Sequence, residues 1–202
     1  MRNAPHSTVT GLAVLELTRP LPATRTGGAA GGNGIVSSDQ VRACSRQLAS
    51  GVSVVTTCDV DGHPCGLTMS AVLCVSLDPA LFLISIGEES ETLEPLLKHG
   101  AFAINVLSAE QKALAQIFAS KGGCDKFKHV AYHLSAPARL PVLRGALAVM
   151  ECRLVDAYPG GDHRLVVGEV QAMRLNSGLP LLRYGGRYFG IDAGECAASS
   201  AA

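Results

Sequence analysis

The chain has 202 residues, no formal net charge at pH 7, 48% hydrophobic residues and 17% charged residues. This length suits one domain or two small ones, and the hydrophobic fraction is too high for a disordered chain. The balanced charge argues against a nucleic-acid-binding domain, and no apolar run is long enough for a transmembrane helix. The low charged fraction favours an apolar surface that a second subunit covers.

Seven cysteines are scattered along the chain, and no two of them are spaced as Cys-x-x-Cys. A structural zinc site and a disulfide framework therefore have little support, and we expect no metal site. Most of the cysteines are expected to be small buried hydrophobic residues. The N-terminus has no signal-peptide pattern, so the reducing cytoplasm is the expected compartment.

Residues 1–34 differ in composition from the rest of the chain. They contain Pro20, Pro22 and a glycine-rich run over 27–34. Such a segment cannot bury enough apolar surface to order itself, so a flexible Gly/Ala/Pro-rich extension is expected. Residues 192–202 are expected to form a disordered tail. One domain is therefore expected over residues 35–191.

The first predicted element is a helix capped by one of the serines at 37–38. Val41, Cys44 and Leu48 follow at helical spacing and form an apolar stripe. Gly51 is expected to end this helix.

Strand patterns follow. The β-branched run 52–58 ends at the hairpin signal Asp61-Gly62. The run 66–77 is rich in Thr, Ser and Val, and it is predicted to be one long strand that Asp78-Pro79 breaks. The apolar run 81–86 predicts another strand.

Two short helices are predicted near the middle of the chain. One spans residues 90–99 and ends at Gly100. The other begins at a capping box of Ser108 and Gln111 and reaches residue 119. Its inner face is expected to carry Leu114, Ile117 and Phe118.

The remaining strand candidates are residues 101–107, 146–157, 164–175 and 184–191. Many strands at short spacing with few helices predict a mainly β, barrel-like fold and not a doubly wound sheet. Several common motifs are missing: the sequence has no GxGxxG turn, no GK[ST] loop and no GxSxG elbow. His129 and His133 are four residues apart, but no third metal ligand accompanies them.

Eight segments carry the positive signal. They are LASGVSVVTT (48–57), GLTMS (66–70), VSLDP (75–79), FAINVL (102–107), DKF (125–127), DH (162–163), VGEV (167–170) and PLLRY (180–184). In wording, order and spacing they resemble the short-chain flavin reductase family. Members of this family are NAD(P)H:flavin oxidoreductases that supply reduced flavin to two-component monooxygenases. The resemblance covers about residues 39–191.

The resemblance implies a fold, a set of cofactors and partners. The fold is the FMN-binding split barrel, a six-stranded antiparallel Greek-key barrel with peripheral helices. The cofactors are FMN or FAD and NADH or NADPH. The expected partners are a second copy of the chain, with flavin near the subunit interface, and a flavin-dependent monooxygenase. Neither nucleic acid nor a membrane is expected.

The family lines its flavin with two segments. Gly66, Leu67, Thr68 and Ser70 lie in the first, where hydroxyls and backbone amides suit the polar edge of a flat flavin ring. The second contributes Val75, Ser76 and Leu77, partly through the backbone. Two positions depart from the family pattern, because Ala71 and Val72 stand where many relatives carry Ser and Phe. The choice between FMN and FAD is therefore left open.

Ser90 and Thr92 match a family Ser-x-Thr motif at a helix start, where free amides attract a phosphate. Simple helix capping is the alternative. Glu91 stands between them where many relatives carry a basic residue, and a carboxylate would repel phosphate. Either Glu91 points away or another group such as Lys126 holds the phosphate. Lys126 as an ordinary surface lysine is the alternative.

Four further residues complete the candidate site. Asn105 either contacts flavin or fixes the barrel. Phe118 and Phe127 belong with Lys126 to the segment that covers the flavin edge. His163 matches a family histidine near the nicotinamide and is the candidate catalytic residue; a solvated turn residue is the alternative.

Two other functions fit parts of the pattern. One is a pyridoxamine-phosphate-oxidase-like enzyme that keeps its flavin. The other is a flavin- or haem-binding split-barrel module without reductase turnover. Oxidation of NADH in the presence and absence of added flavin distinguishes them from a reductase.

Overall fold

A computed structural model describes residues 36–191. The twelve strands are β1 Ser50–Gly51, β2 Ser53–Cys58, β3 Pro64–Met69, β4 Val72–Leu77, β5 Ala80–Gly87, β6 Ala101–Val106, β7 Tyr132–Leu134, β8 Pro141–Leu143, β9 Ala148–Gly160, β10 His163–Leu175, β11 Leu182–Tyr184 and β12 Arg187–Phe189. The helices are α1 Ser38–Ser45, α2 Leu93–His99 and α3 Lys112–Ala119, with 3₁₀ turns at Ala109–Gln111 and Gly123–Phe127. The second turn is called the 3₁₀ segment below.

Seven strands form the main sheet, in the order β3-β2-β6-β9-β10-β5-β4, and all neighbours are antiparallel. This confirms the mainly β fold with few helices. The run 66–77 is not one strand, because it is interrupted between Met69 and Val72. The six-stranded barrel and its Greek-key arrangement stay predictions.

The helices differ from the predictions at their ends and faces. Ser37 caps α1 in a capping box, but the helix ends at Ser45 instead of near Gly51. No residue of α1 is buried, and Val41 and Leu48 are mostly exposed, so the predicted apolar stripe is not buried in the single chain.

Gly100 ends α2 in the left-handed conformation, as its position predicted. The capping box of Ser108 and Gln111 is also present. Within α3, Phe118 and Ala115 are buried, whereas Ile117 is 37% exposed, so its predicted inward position is wrong.

The hairpin between β2 and β3 forms as the Asp61-Gly62 signal predicts. Asp59 Oδ1 accepts hydrogen bonds from the backbone amides of Asp61 at 3.0 Å and His63 at 2.8 Å. Gly62 has φ +82°, which a glycine adopts without strain. The predicted strand over 184–191 is instead the pair β11 and β12, joined through Gly185-Gly186.

Of the six cysteines in the described part of the chain, Cys58, Cys65 and Cys152 are buried, so the expectation that most are buried holds for half of them. Cys196 lies outside the described residues. So do the predicted extension over 1–34 and the predicted tail over 192–202. Over the range 36–191, every helix is too short or too polar to cross a membrane.

Candidate functional site

A cleft of about 250 Å³ lies where β3, α3, the 3₁₀ segment and the turn before α2 meet. Six of the predicted site residues line it: Leu67, Thr68, Ser90, Thr92, Phe118 and Lys126. The sequence separates these residues by up to 59 positions, and the sheet with its two flanking turns brings them together. The family resemblance is therefore matched by a real concave site.

The floor of the cleft depends on a close approach of α3 to β3. The Thr68 hydroxyl donates a 2.7 Å hydrogen bond to the Ala115 carbonyl oxygen. A Cβ on Gly66 would lie 3.0 Å from the Val55 carbonyl oxygen and 3.3 Å from Cε1 of Phe118. Glycine at 66 thus leaves room for the Phe118 ring. The oxygen of the Thr68 hydroxyl keeps a lone pair that can accept a further hydrogen bond.

Lys126 places a positive charge in the cleft. Its Nζ donates a 3.3 Å hydrogen bond to the Gly66 carbonyl oxygen. Burial lowers the pKa of the Lys126 ammonium, and the nearby Glu91 carboxylate opposes that effect. Lys121 lies on the same lining. The cleft can therefore attract an anion of the size of a phosphate.

Glu91 does not point away from the cleft as one alternative required. Its Oε2 accepts hydrogen bonds from the Gly123 amide at 3.0 Å and from the Gly122 amide at 3.4 Å. These bonds, and to a smaller extent Lys126 and Lys121, lower the pKa of the Glu91 carboxyl. The carboxylate thus occupies two amides of the turn that carries the lysines and joins that turn to the Ser90 motif.

The Ser90 motif is a tight turn before α2. Ser90 Oγ accepts a 3.3 Å hydrogen bond from the Thr92 amide, and Thr92 itself is buried. Thr92 occupies the capping position of α2 but makes no side-chain cap hydrogen bond. Both residues line the cleft beside Lys126, as the motif predicts.

Asn105 has a structural role. It is fully buried, and its Nδ2 donates to the Val54 carbonyl at 3.0 Å and the Thr56 hydroxyl at 3.1 Å. Its Oδ1 accepts a 2.9 Å hydrogen bond from the Leu143 amide. Every polar atom of this side chain is used to join β2, β6 and β8. Its predicted contact with flavin is therefore corrected, and the alternative that it fixes the barrel is supported.

Phe127 is a buried residue that does not line the cleft. It is 5% exposed and packs edge to face against Phe118, with ring centroids 4.9 Å apart, and against Tyr132, at 5.2 Å. It does not line the cleft of the single chain, so its predicted contact with flavin stays a prediction. It supports Phe118, which does line the cleft.

Four predicted site residues do not line this cleft in the single chain: Ser70, Val75, Ser76 and Leu77. Val75 and Leu77 are exposed on β4, where a bulge lies between Cys74 and Ser76. Ser70 lines a second cleft, of about 420 Å³, together with Arg42, Arg46 and Arg183. The sequence analysis named none of these arginines as site residues, although Arg183 lies in its PLLRY segment. Arg42 is in α1, Arg46 directly follows α1 and Arg183 is in β11, so only the fold brings the three together.

His163 begins β10 after the turn at Gly161, at the rim of the sheet as predicted. Its side chain is 44% exposed, and Nδ1 lies 2.7 Å from Asp162 Oδ1. That contact lowers the pKa of the Asp162 carboxyl. His163 pairs with Gly87 at the end of β5, and Ser90 of the cleft lies three residues after Gly87.

The sequence analysis also missed Ser120 and Lys121 on the cleft wall. Their signal is visible afterwards in the run Ser120 to Gly123, where a lysine precedes two glycines at the end of a helix. Glycine amides beside a lysine are typical of an anion-binding turn.

The comparisons with known proteins identify the family of the chain. The flavin reductase like domain matches residues 45–192. A flavin reductase (NADH) from Kitasatospora aureofaciens is 38% identical over 140 residues, which cover 69% of this chain and 73% of that protein. The reductase component of the 4-nitrophenol 4-monooxygenase/4-nitrocatechol 2-monooxygenase of Rhodococcus opacus is 40% identical over 141 residues, covering 70% and 74%.

A solved structure gives the same result. The NADH:FAD oxidoreductase of Streptomyces globisporus superposes with a TM-score of 0.73 and 31% identity, over 80% of this chain and 99% of that chain. The same oxidoreductase has been solved with NAD and FAD fragments bound. The family match extends over nearly all of the described domain and includes every residue that lines the 250 Å³ cleft. The chain therefore belongs to the flavin reductase like domain family.

Proposed function

We propose that this protein is the flavin reductase component of a two-component monooxygenase system. It transfers a hydride from NAD(P)H to oxidised flavin, so that NAD(P)H, a proton and oxidised flavin become NAD(P)⁺ and reduced flavin. The reduced flavin then passes to a partner monooxygenase. The observation that carries this proposal is the cleft in which Thr68, Ser90 and Lys126 meet within the family domain.

The residues present fit a flavin. Its ring edge has several acceptors and one donor, and its chain ends in a phosphate. The cleft offers hydroxyls at Thr68 and Ser90, an aromatic wall at Phe118 and ammonium groups at Lys121 and Lys126. Among the described residues, Lys126 hydrogen-bonds only a neutral carbonyl, so its charge is available to a ligand phosphate.

The chain's own residues bind and orient, because the flavin supplies the redox chemistry when bound. Lys126 and Ser90 would hold the phosphate, and Phe118 would exclude water from one side. The Thr68 hydroxyl, whose proton is donated to the Ala115 carbonyl, would accept a hydrogen bond from the ring edge. His163, at the rim, would hydrogen-bond the nicotinamide carboxamide. The role of these residues would be to orient the two rings, because hydride transfer depends mainly on positioning.

The hydride donor is NADH, since the relatives from Kitasatospora and Streptomyces globisporus are named for that nucleotide. Both FMN and FAD carry the phosphate that Lys126 and Ser90 hold, and Ala71 and Val72 give no preference between them. The protein acts in the cytoplasm, where its thiols stay reduced.

The proposed functional form of the protein is a homodimer. The described domain exposes Val41 on α1, Leu48 after that helix, and Leu73, Val75 and Leu77 on β4. Such exposed apolar side chains favour an interface. In a dimer that buries β4, Val75, Ser76 and Leu77 would lie at the subunit interface, where the flavin is expected. Light scattering after size exclusion should give twice the monomer mass; a fully active monomer would contradict this interface.

The deciding experiment measures NADH and NADPH oxidation by the full chain with FMN, FAD or no flavin. Strong turnover that depends on added flavin supports the reductase. Turnover without added flavin indicates an oxidase that keeps its flavin, and flavin binding without oxidation indicates a binding module.

Removal of residues 1–34 should leave turnover within a few-fold, because the family match begins after them.

A further inference from the structure

Two thiols and a carboxylate lie close together next to β3, and none of them has a role in the proposed reaction. Asp59 follows β2, Cys65 lies on β3, and Cys124 lies in the 3₁₀ segment. One ligand atom from each residue, a carboxylate oxygen and two Sγ atoms, lies within 4.8 Å of the other two. Cys65 is buried and Cys124 reaches the surface, so the cluster has one inner and one open side.

The carboxylate of this cluster is fixed in place. Asp59 Oδ1 accepts hydrogen bonds from the amides of Asp61 and His63, and His63 Nδ1 lies 3.3 Å from Asp59 Oδ2. Hydrogen bonds from outside the ligand set commonly orient a metal-binding carboxylate in this way. Asp59 would therefore lose little freedom on coordinating a cation.

The donor set selects the kind of cation. Mg²⁺ and Ca²⁺ take oxygen ligands, whereas two thiolates with one carboxylate suit Zn²⁺. Zinc binds sulfur at about 2.3 Å and carboxylate oxygen at about 2.0–2.2 Å in a tetrahedron, so a small inward movement of the three groups is sufficient. Three protein ligands leave the fourth position to water. Cys58 is nearby in sequence, but its thiol donates to the Arg139 carbonyl instead.

We propose that Asp59, Cys65 and Cys124 form a binding site for one Zn²⁺ ion. Binding displaces the two thiol protons and involves no oxidation or reduction. The Cys-x-x-Cys spacing that the sequence lacks is not needed, since the fold brings ligands from three separate segments together.

The site has a consequence for the flavin cleft. Cys65 directly precedes Gly66, and Cys124 is two residues before Lys126, which hydrogen-bonds the Gly66 carbonyl. A bound Zn²⁺ therefore fastens the 3₁₀ segment to β3 at the base of the lysine that lines the cleft. The ion acts as a structural link and does not touch the cleft.

The test uses the full chain, reduced, freed of metal by a chelator and checked by mass spectrometry for free thiols. Zn²⁺ is titrated in competition with a chromophoric indicator, and Co²⁺ is added separately to detect thiolate-to-metal charge-transfer absorption. We expect one Zn²⁺ per chain, the cobalt–thiolate band, and a rise in Tm with Zn²⁺.

Cys124→Ser is the main variant, because this thiol is at the surface and its loss should not prevent folding. We expect its affinity for Zn²⁺ to fall by more than about 100-fold, beyond the 10–100-fold typical of residues outside the ligand set. Asp59→Asn should also lose affinity. Cys44→Ser and Cys74→Ser remove exposed thiols elsewhere and serve as matched controls, with Cys196→Ser as the background for all variants.

The controls should bind Zn²⁺ as the parent does. The proposal is overturned if the reduced parent binds no stoichiometric Zn²⁺. It is also overturned if Cys124→Ser keeps the parent's affinity and the cobalt–thiolate band. Neither result bears on flavin turnover, which is measured separately.

Discussion

Glu91 Oε2 accepts a 3.0 Å hydrogen bond from the Gly123 amide, so the carboxylate beside Ser90 is bound to the turn that carries Lys121 and Lys126. An acidic residue in a phosphate-binding motif repels the ligand if it faces it directly. Here the same charge holds the cationic turn in position. Glu91 therefore has two opposing effects, and a substitution that separates them is informative.

Glu91→Ala removes both the charge and the anchor, and we expect the KM for flavin to rise several-fold as the 3₁₀ segment loosens. Glu91→Gln keeps an acceptor oxygen for the Gly123 amide but removes the charge, so its KM for flavin should be at or below that of the parent. Steady-state kinetics with varied flavin measures both. Equal damage from both substitutions would show that the charge itself is required.

Lys126→Ala should raise the KM for flavin by about tenfold. A hydrogen bond to a charged group contributes about 1.5–3 kcal/mol, and partial exposure of Lys126 reduces this toward the lower end. Lys128→Ala is the matched control, because this neighbouring lysine is exposed and pairs with Asp125 at 2.9 Å. If the two variants have the same KM, Lys126 is an ordinary surface lysine.

The affinity for flavin should also weaken at alkaline pH. Burial lowers the pKa of the Lys126 ammonium, so its charge is complete below that pKa and is lost as the pH rises through it. The kcat/KM for flavin should fall on the alkaline side in the parent. Lys126→Arg keeps its charge at every accessible pH and should remove this fall. The same alkaline fall in the arginine variant would assign it to another group.

Local patterns predicted the turns and caps well. Asp61-Gly62, Gly100 and the Ser108 capping box all act within a few residues, so their physics is contained in the local sequence. The predicted burial of the apolar stripe at α1 was wrong, because burial depends on tertiary contacts and not on the local sequence. Its spacing marks an apolar face, but whether this face packs inside one chain or against a second copy depends on tertiary structure.

The candidate site divides in the same way. The resemblance located Thr68, Ser90 and Lys126 on one cleft, but residue type alone could not separate Asn105 and Phe127 from them. Both are polar or aromatic residues in family motifs, and only their burial and partners show that they support the fold. The cluster of Asp59, Cys65 and Cys124 was invisible because its members are up to 65 positions apart.

The structural role of Asn105 predicts a loss of stability without a loss of flavin binding. Asn105→Ala leaves the Leu143 amide without its buried partner, at a cost of about 1–3 kcal/mol, whereas the Thr56 hydroxyl still donates to the Pro141 carbonyl. For a domain of this size, about 2–4 °C is lost per kcal/mol, so we expect Tm to fall by about 2–12 °C.

At a temperature where the Asn105→Ala variant is folded, its KM for flavin should match the parent's. Asn176→Ala removes a single, partly buried hydrogen bond to the Ala146 carbonyl and should lower Tm much less. A normal Tm with a raised KM would restore Asn105 to the flavin site.

His163 should affect the nicotinamide and not the flavin. It lies at the rim, is partly exposed, and its Nδ1 is held by Asp162, which leaves Nε2 free to meet a carboxamide. Hydride transfer requires no proton from it, so His163→Ala should keep activity. Loss of one neutral hydrogen bond costs about 0.5–1.5 kcal/mol. This corresponds to a fall in kcat/KM for NADH of about 2- to 12-fold, mainly through KM. His129→Ala, an exposed histidine outside the cleft, is the control. A collapse of flavin affinity with an unchanged KM for NADH would place His163 on the flavin side.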